Sequence, residues 1–314
     1  MLEIPKIQAI RRHLSDQPEL LIPQSRAGDH PLKALQAQPS PKPKLLVVGA
    51  TGTLGRAVIE AADHWDRIGT ARGPLPNSPF PLFRLDITDP AATLRFVRET
   101  APDLIVNCAG QPDVDWCEQH AAAARLLHVD GTKSLVAAAA ATGAKLIHIS
   151  SDFVFDGRKG NYKEADPPNP INSYGRTKRD SELAVPAEHL VVRPTFYGWS
   201  VRKPSLAQII VTTLRAEQTF NAFADAFFTP CYAPSLAERI LKARNTVGLL
   251  HLAGPERLSK LAFARAVAKA FSLPAEFINP YPLSAVPFKA PRPADTSLDT
   301  ALARSLGLAL PAVA

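Results

Sequence analysis

The sequence predicts an α/β protein: a doubly wound parallel sheet, with a smaller lobe supplied by the C-terminal third. Three observations carry this. Short apolar runs alternate with helix-compatible stretches between Lys44 and Val192, a glycine-punctuated turn directly follows the first run, and beyond Gly198 the alternation loosens among Pro-rich connections. A chain of 314 residues, 46% hydrophobic and 21% charged, has ample material for one large or two smaller cores.

Residues 1–43 read as an extension or linker. An amphipathic stretch near Ile4–Leu14 is followed by Gln17-Pro18, Arg26-Ala27-Gly28-Asp29 and Pro39-Ser40-Pro41-Lys42-Pro43, punctuation that suits a tether. The first strand is the run Leu45–Val48, and a helix is predicted over Arg56–Ala62. Further runs at Arg67–Thr70, Leu104–Asn107, Lys145–Ser150 and His189–Val192 predict strands. Between them Ala91–Glu99, Ala121–Leu127, Thr132–Thr142 and Ser173–Leu183 predict helices, an alternation that covers both faces of a parallel sheet. Residues 44–198 are therefore expected to form the nucleotide-binding domain. Residues 199–314, with helices at Leu206–Ala216, Ser235–Ala243 and Leu261–Ala270, are expected to form mainly a substrate lobe, some segments returning to the sheet.

Composition excludes several classes. Of the formal charge of +7, roughly +4 remains once the first 44 residues are set aside, and no basic run offers a track for a phosphate backbone, so nucleic-acid binding is not expected. The three cysteines, Cys108, Cys117 and Cys231, are widely spaced and suit neither a disulfide framework nor a metal site. No apolar stretch reaches the roughly 18 residues of a membrane span, and the expectation is a cytoplasmic protein without a metal.

Gly49-Ala50-Thr51-Gly52-Thr53-Leu54-Gly55 lies between a strand and a helix, where glycines let backbone approach a pyrophosphate and the helix start attracts the anion. This marks a Rossmann-type dinucleotide site with Gly49, Thr51, Gly52, Thr53, Leu54 and Gly55 as its cradle. The second strand ends in Arg72 rather than a carboxylate, which favours a 2′-phosphate and hence NADPH, with NADH as the alternative.

Ser150-Ser151 closes a strand, and Tyr174 and Lys178 stand four residues apart on the next helix, sharing one face. A phenol with pKa near 10 acts as a general acid when a cation stabilises its phenolate, the role expected of Lys178, while Ser151 holds the substrate carbonyl.

With these motifs in place, Lys44–Leu310 resembles the dTDP-4-dehydrorhamnose reductases, extended short-chain dehydrogenases that use NADPH to reduce a nucleotide-linked 4-keto-6-deoxy sugar. The likeness runs through Gly49–Gly55, Leu85-Asp86-Ile87-Thr88-Asp89, Asn107-Cys108-Ala109-Gly110, His148–Gly157, Pro170–Lys178, Arg193-Pro194, and Arg292-Pro293 with Ser297-Leu298-Asp299. It implies that Asp86 and Ile87 border the adenine, Asn107, Cys108, Ala109 and Gly110 the ribose and pyrophosphate, and Lys178, beside Tyr174, the nicotinamide ribose. Asp152, Phe153 and Asp225 fall at substrate-facing positions, and Phe153 stands where dehydratases of the superfamily carry a second acid. Two departures stand out: His128 replaces an asparagine in a V-N-x-x-G-T stretch, and Ala226 replaces a polar residue. Phe196, Tyr197 and Trp199 either face a base or sugar or pack the lobe boundary.

The implied function is NADPH-dependent reduction of a sugar nucleotide in dTDP-rhamnose biosynthesis. An epimerase or reductase of another sugar nucleotide, and a non-catalytic NADP-binding regulatory subunit, share the same fold and stay open. A homodimer, or a fused or partner domain reached through the extension, is the further expectation.

Overall fold

The computed structural model describes residues 42–200 and 203–313, all within the compact unit Ser40–Ala314. The expected helix near Ile4–Leu14 and nearly all of the 1–43 extension lie outside the described residues.

Seven parallel strands form the central sheet: β1 Lys44–Val48, β2 Asp66–Ala71, β3 Leu82–Arg84, β4 Leu104–Asn107, β5 Lys145–Ile149, β6 Leu190–Pro194 and, after a long excursion, Gly248–Leu252. Their spatial order is Gly248–Leu252, β6, β5, β4, β1, β2, β3. The strand order therefore reverses between β1 and β4, whose neighbours in register are Val48 and Asn107. A crevice opens there at the carboxyl ends of the strands, the position where doubly wound folds take ligands. The strands are apolar on both sides because helices cover both faces, and Leu45, Leu46, Ile105 and Val106 are fully buried.

The helices of this half are α1 Thr53–Glu60, α2 Pro90–Thr100, α3 Val114–Gln119, α4 Ala121–Arg125, α5 Gly131–Thr142 and α6 Ser173–Glu182. Local sequence sets their ends: Asp89 caps α2 by accepting from Ala92 N, and Asn172 caps α6 by accepting from Gly175 N. The two helices predicted at Ala121–Leu127 and Thr132–Thr142 are joined by one turn of π-helix, Leu126–Asp130. That widened turn carries His128, and such bulges tend to aim a side chain at a functional site.

The lobe is built from α7 Leu206–Arg215 and α9 Lys260–Ala270, with β8 Phe220–Phe223 paired to β13 Ile278–Tyr281. Two small pairs complete it: β7 Phe196–Tyr197 with β10 Cys231–Tyr232, and β9 Phe227–Phe228 with β12 Leu258–Ser259. Its own core contains Ile210, Leu214, Phe228, Phe263 and Val267. Helix α8, Ala233–Lys242, belongs instead to the core under the sheet, as do Leu250, Leu252, Ala303, Leu308 and Leu310. The sequence reading missed β3, only three residues long, and the seventh strand, β11 Gly248–Leu252, a five-residue run lying in the Pro-rich region where the alternation of strands and helices loosens. Among the described residues no helix is long and apolar enough to cross a membrane.

Candidate active site

At the cofactor end, Gly49 has φ of +80°, and a Cβ there would lie 2.8 Å from Ala109 N. A Cβ on Gly55 would lie 2.2 Å from Gly49 O, so the third glycine lets α1 start against the turn. The Gly49 and Ala50 amides both donate to Thr70 O, at 2.8 and 2.9 Å, which pins the turn to β2. At the start of α1 the N-cap Gly52 offers no side-chain oxygen and the first turn has no acid, leaving its N–H groups for an anion. Thr51 and Leu54 are buried and Thr53 is half-buried in this cradle, which fits a dinucleotide pyrophosphate.

Arg72 is exposed just past the end of β2. Asp86 accepts from Thr88 N and Oγ1, at 3.0 and 2.8 Å, and Ile87 is buried against Gly131, where a Cβ would lie 2.7 Å from Ile87 Cδ1. Asn107 ends β4 with its amide consumed: Oδ1 accepts from Ala109 N at 3.1 Å. Cys108 is half-buried with its thiol pushed up to about 12 by desolvation, and Cys117 is raised to about 11 for the same reason, so neither supplies a thiolate.

The residues expected to do chemistry meet where β5 ends. Ser151 accepts from Phe153 N at 3.2 Å and donates to Asp152 Oδ1 at 3.0 Å. Asp152 is buried and takes a second bond from Thr296 Oγ1 at 2.5 Å; desolvation raises its pKa against the pull of Thr296, Lys260, Ser151 and Thr195. The Tyr174 hydroxyl feels the Ser151 side chain, and its ring meets His128 and Phe153 edge-on, each at 5.8 Å between centroids. Burial pushes the phenol up to about 12, the Ser151 side chain opposing and the Asp152 and Cys117 charges adding to the rise.

Lys178 Nζ donates to Ile149 O at 2.7 Å. Desolvation lowers Lys178 to about 8, opposed chiefly by Glu182. Glu182 is itself held by a two-pronged Arg193 pair, at 2.9 and 2.7 Å, and by Ser150 Oγ. These contacts anchor the ammonium at the end of β5, on the helix face it shares with Tyr174.

His128, singled out in the sequence as a replacement for a supporting asparagine, is joined by positioning residues to which the sequence reading gave no role, Thr177, Ser181 and His148. Gln111 N donates to His128 Nε2 at 2.9 Å, so the ring proton sits on Nδ1 and is donated to Thr177 Oγ1 at 2.8 Å. Thr177 in turn donates to Tyr174 O at 2.9 Å. One helical turn on, Ser181 Oγ donates to Lys178 O at 2.7 Å and therefore accepts from His148 Nε2 at 2.9 Å. His148 Nδ1 is then free to accept from Asn107 Nδ2 at 3.1 Å. Burial keeps both rings neutral, His128 being lowered to about 3 and His148 well below its usual value. Two neutral histidines thus fix the face of α6 that carries Tyr174 and Lys178. Gly175 completes the fit, because a Cβ there would lie 2.2 Å from Phe153 O. The polar i, i+4 pair Thr177 and Ser181, on a helix with few apolar residues, was the available signal.

Asp225 lines an open groove of ≈ 430 Å³ with Phe288 and Arg292, and its carboxylate accepts from Leu283 N at 2.8 Å. Arg292 lies 4.4 Å from the Phe288 ring centroid and pairs with Asp115 at 3.0 Å. Of the aromatic trio, Tyr197 packs on Phe263 and Trp199 on Phe271, which settles both as lobe packing, while Phe196 is exposed.

A family profile described as RmlD substrate binding domain matches residues 43–312. Methionine adenosyltransferase 2 subunit beta of Bos taurus is 34% identical over 286 residues, covering 85% of this chain and 84% of that protein. The dTDP-4-dehydrorhamnose reductase of Burkholderia thailandensis is 30% identical over 293 residues, covering 85% and 94%. Among solved structures, dTDP-4-dehydrorhamnose reductase (rfbD) from Bacillus anthracis in complex with NADP superposes with a TM-score of 0.78 at 25% identity, covering 87% of this chain and 96% of that one. Profile, relatives and fold agree, and the chain belongs to the RmlD substrate binding domain family.

Proposed function

We propose that the protein binds NADPH and reduces the keto group of a nucleotide-linked sugar, a 4-keto-6-deoxy sugar being the preferred substrate. The observation that carries the reading is the close placement of Ser151 and Tyr174, whose side chains interact, with Lys178 buried one helical turn on and the glycine cradle at the end of β1. NADPH, when bound, supplies the hydride. Gly49 to Gly55 hold its pyrophosphate, Asp86 and Ile87 border its adenine, and Arg72 meets its 2′-phosphate. Lys178 reaches its nicotinamide ribose.

Tyr174 is the proton donor. A phenol raised to about 12 stays protonated throughout the neutral range, and its strongest tendency to give up the proton arises when an alkoxide forms beside it. Ser151 turns its hydroxyl from Asp152 to the substrate oxygen and stabilises that developing charge. The lobe, with Asp225, holds the rest of the substrate, and the absence of a second acid at Phe153 argues against elimination of water.

A second reading has a specific observation in its favour: relatives at 34% identity bear the name of a methionine adenosyltransferase subunit. Under it the same cradle binds NADP without turnover. Following NADPH absorbance with a panel of keto-sugar nucleotides separates the two. Steady oxidation supports the reductase, cofactor-neutral isomerisation an epimerase, and tight NADP binding without turnover a regulatory subunit.

A further inference from the structure

Lys260 opens α9 in the lobe, with its backbone N–H on Ala226 O at 2.9 Å. Its ammonium lies 3.1 Å from the centroid of the buried Phe228 ring. Among the described residues no carboxylate pairs with this ammonium and no oxygen accepts from it; Asp152 acts on it only through space. Neighbouring cations differ: Arg257, over Phe227, is paired with Asp295 at 2.7 Å, Arg292 with Asp115, Lys203 with Asp113 and Arg193 with Glu182.

The position connects directly to the candidate active site. Phe227 O accepts from Thr296 N at 3.0 Å, Thr296 Oγ1 bonds Asp152, and Asp152 bonds Ser151. Asp152 attracts Lys260 through space but forms no ion pair with it, its two oxygens being bonded to Ser151 and Thr296. A desolvated, unpaired ammonium costs free energy until an anion reaches it, and burial has already lowered Lys260 to about 8. The aromatic face beneath it offers partial compensation and fixes its direction.

We propose that Lys260 is the oxyanion-binding residue of the lobe, taking the diphosphate of a nucleotide-linked sugar whose carbonyl lies at Ser151 and Tyr174. The inference rests on the sugar-nucleotide reading above and adds the residue that recognises the nucleotide's charge. A neutral sugar offers nothing to this ammonium; a diphosphate one sugar ring away from the reacting carbonyl does.

The test is calorimetric titration of the full chain, saturated with NADP, with thymidine or uridine diphosphate, the matching uncharged nucleosides, and a hexuronate. Lys260→Met should weaken diphosphate binding roughly ten- to hundredfold, the range for a lost charge-assisted bond, with NADP and nucleoside affinities unchanged. Lys260→Arg should recover part of the loss, and matching thermal melts for the variants establish that the fold is kept. Equal diphosphate affinity in wild type and Lys260→Met overturns the proposal while leaving the reductase reading intact, as does a Lys260-dependent affinity for hexuronate alone. A parallel loss of nucleoside or NADP affinity makes Lys260 structural and also overturns it. Failure of any nucleoside diphosphate to bind the wild type overturns the sugar-nucleotide reading itself.

Discussion

Replacing Lys178 with methionine should abolish function yet make the free protein more stable at neutral pH. Lys178 is buried, and the gap between about 8 in the fold and 10.5 in an open chain corresponds to roughly 3 kcal/mol, at about 1.4 kcal/mol per tenfold change in proton affinity. The substitution also deletes the Nζ bond to Ile149 O, worth about 1.5–3 kcal/mol for a charged donor. The net expectation is a gain of about 0.5–2 kcal/mol at pH 7. The sign with pH follows from proton counting. Between about 8 and 10.5 the unfolded wild-type chain holds a proton that the native state has released, so wild-type stability rises with pH and the advantage of Lys178→Met shrinks. Urea unfolding of both proteins without nucleotide, at pH 7 and again near pH 10.5, measures this directly. A variant no more stable than wild type at pH 7, or an advantage unchanged at high pH, would refute the electrostatic account of Lys178.

Gly55→Ala should cost on the order of 1–3 kcal/mol and weaken NADP binding together with stability, since the added carbon would stand 2.2 Å from a backbone oxygen; thermal melts with and without NADP check it. His128→Leu should lower unfolding free energy by roughly 2–3 kcal/mol, because it strands Gln111 N and removes the donor to Thr177. In the wild type, buried neutral His128 means that the unfolded chain binds a proton the fold refuses between pH 6.5 and about 3, so stability should fall as pH drops through that window, and less in the leucine variant. Arg72→Ala should narrow the preference for NADPH over NADH by about 1.5–3 kcal/mol if the guanidinium meets the 2′-phosphate, and fluorescence titration with both cofactors reads the difference.

Much of this molecule was legible in its sequence because the signals were local. A glycine turn between a strand and a helix, and a tyrosine and lysine four apart, are fixed by chain geometry over a few residues, and the structure puts them at the ends of β1 and β5 where the fold class requires. What was missed depends on distant partners. Gly248–Leu252 becomes a strand because it finds β6, some sixty residues earlier, at Leu190–Pro194, and nothing within five residues announces that pairing. His128 read as a departure from a family pattern; its bond to Gln111 N and its grip on Thr177 require the π turn and α6 to be in place together. Lys260 carried no signal at all, since an unpaired ammonium is recognised only once its neighbours are known. The backbone acceptor of Lys178 was hidden for a similar reason: helical spacing places it and Tyr174 on one face but does not say which acceptor, here Ile149 O, the ammonium will choose.

The central claim is that Tyr174 is the proton donor of a reductase. The most direct measurement compares NADPH oxidation by wild type and Tyr174→Phe with a 4-keto-6-deoxy sugar nucleotide at saturating concentrations, alongside NADPH affinity for each. The account predicts steady turnover by wild type and a loss of roughly 10²–10⁴-fold in the variant, with cofactor affinity unchanged because the ring still packs against His128 and Phe153. Turnover by Tyr174→Phe at the wild-type rate would contradict the acid assignment, and tight NADPH binding by wild type without turnover on any keto-sugar nucleotide would contradict the reductase.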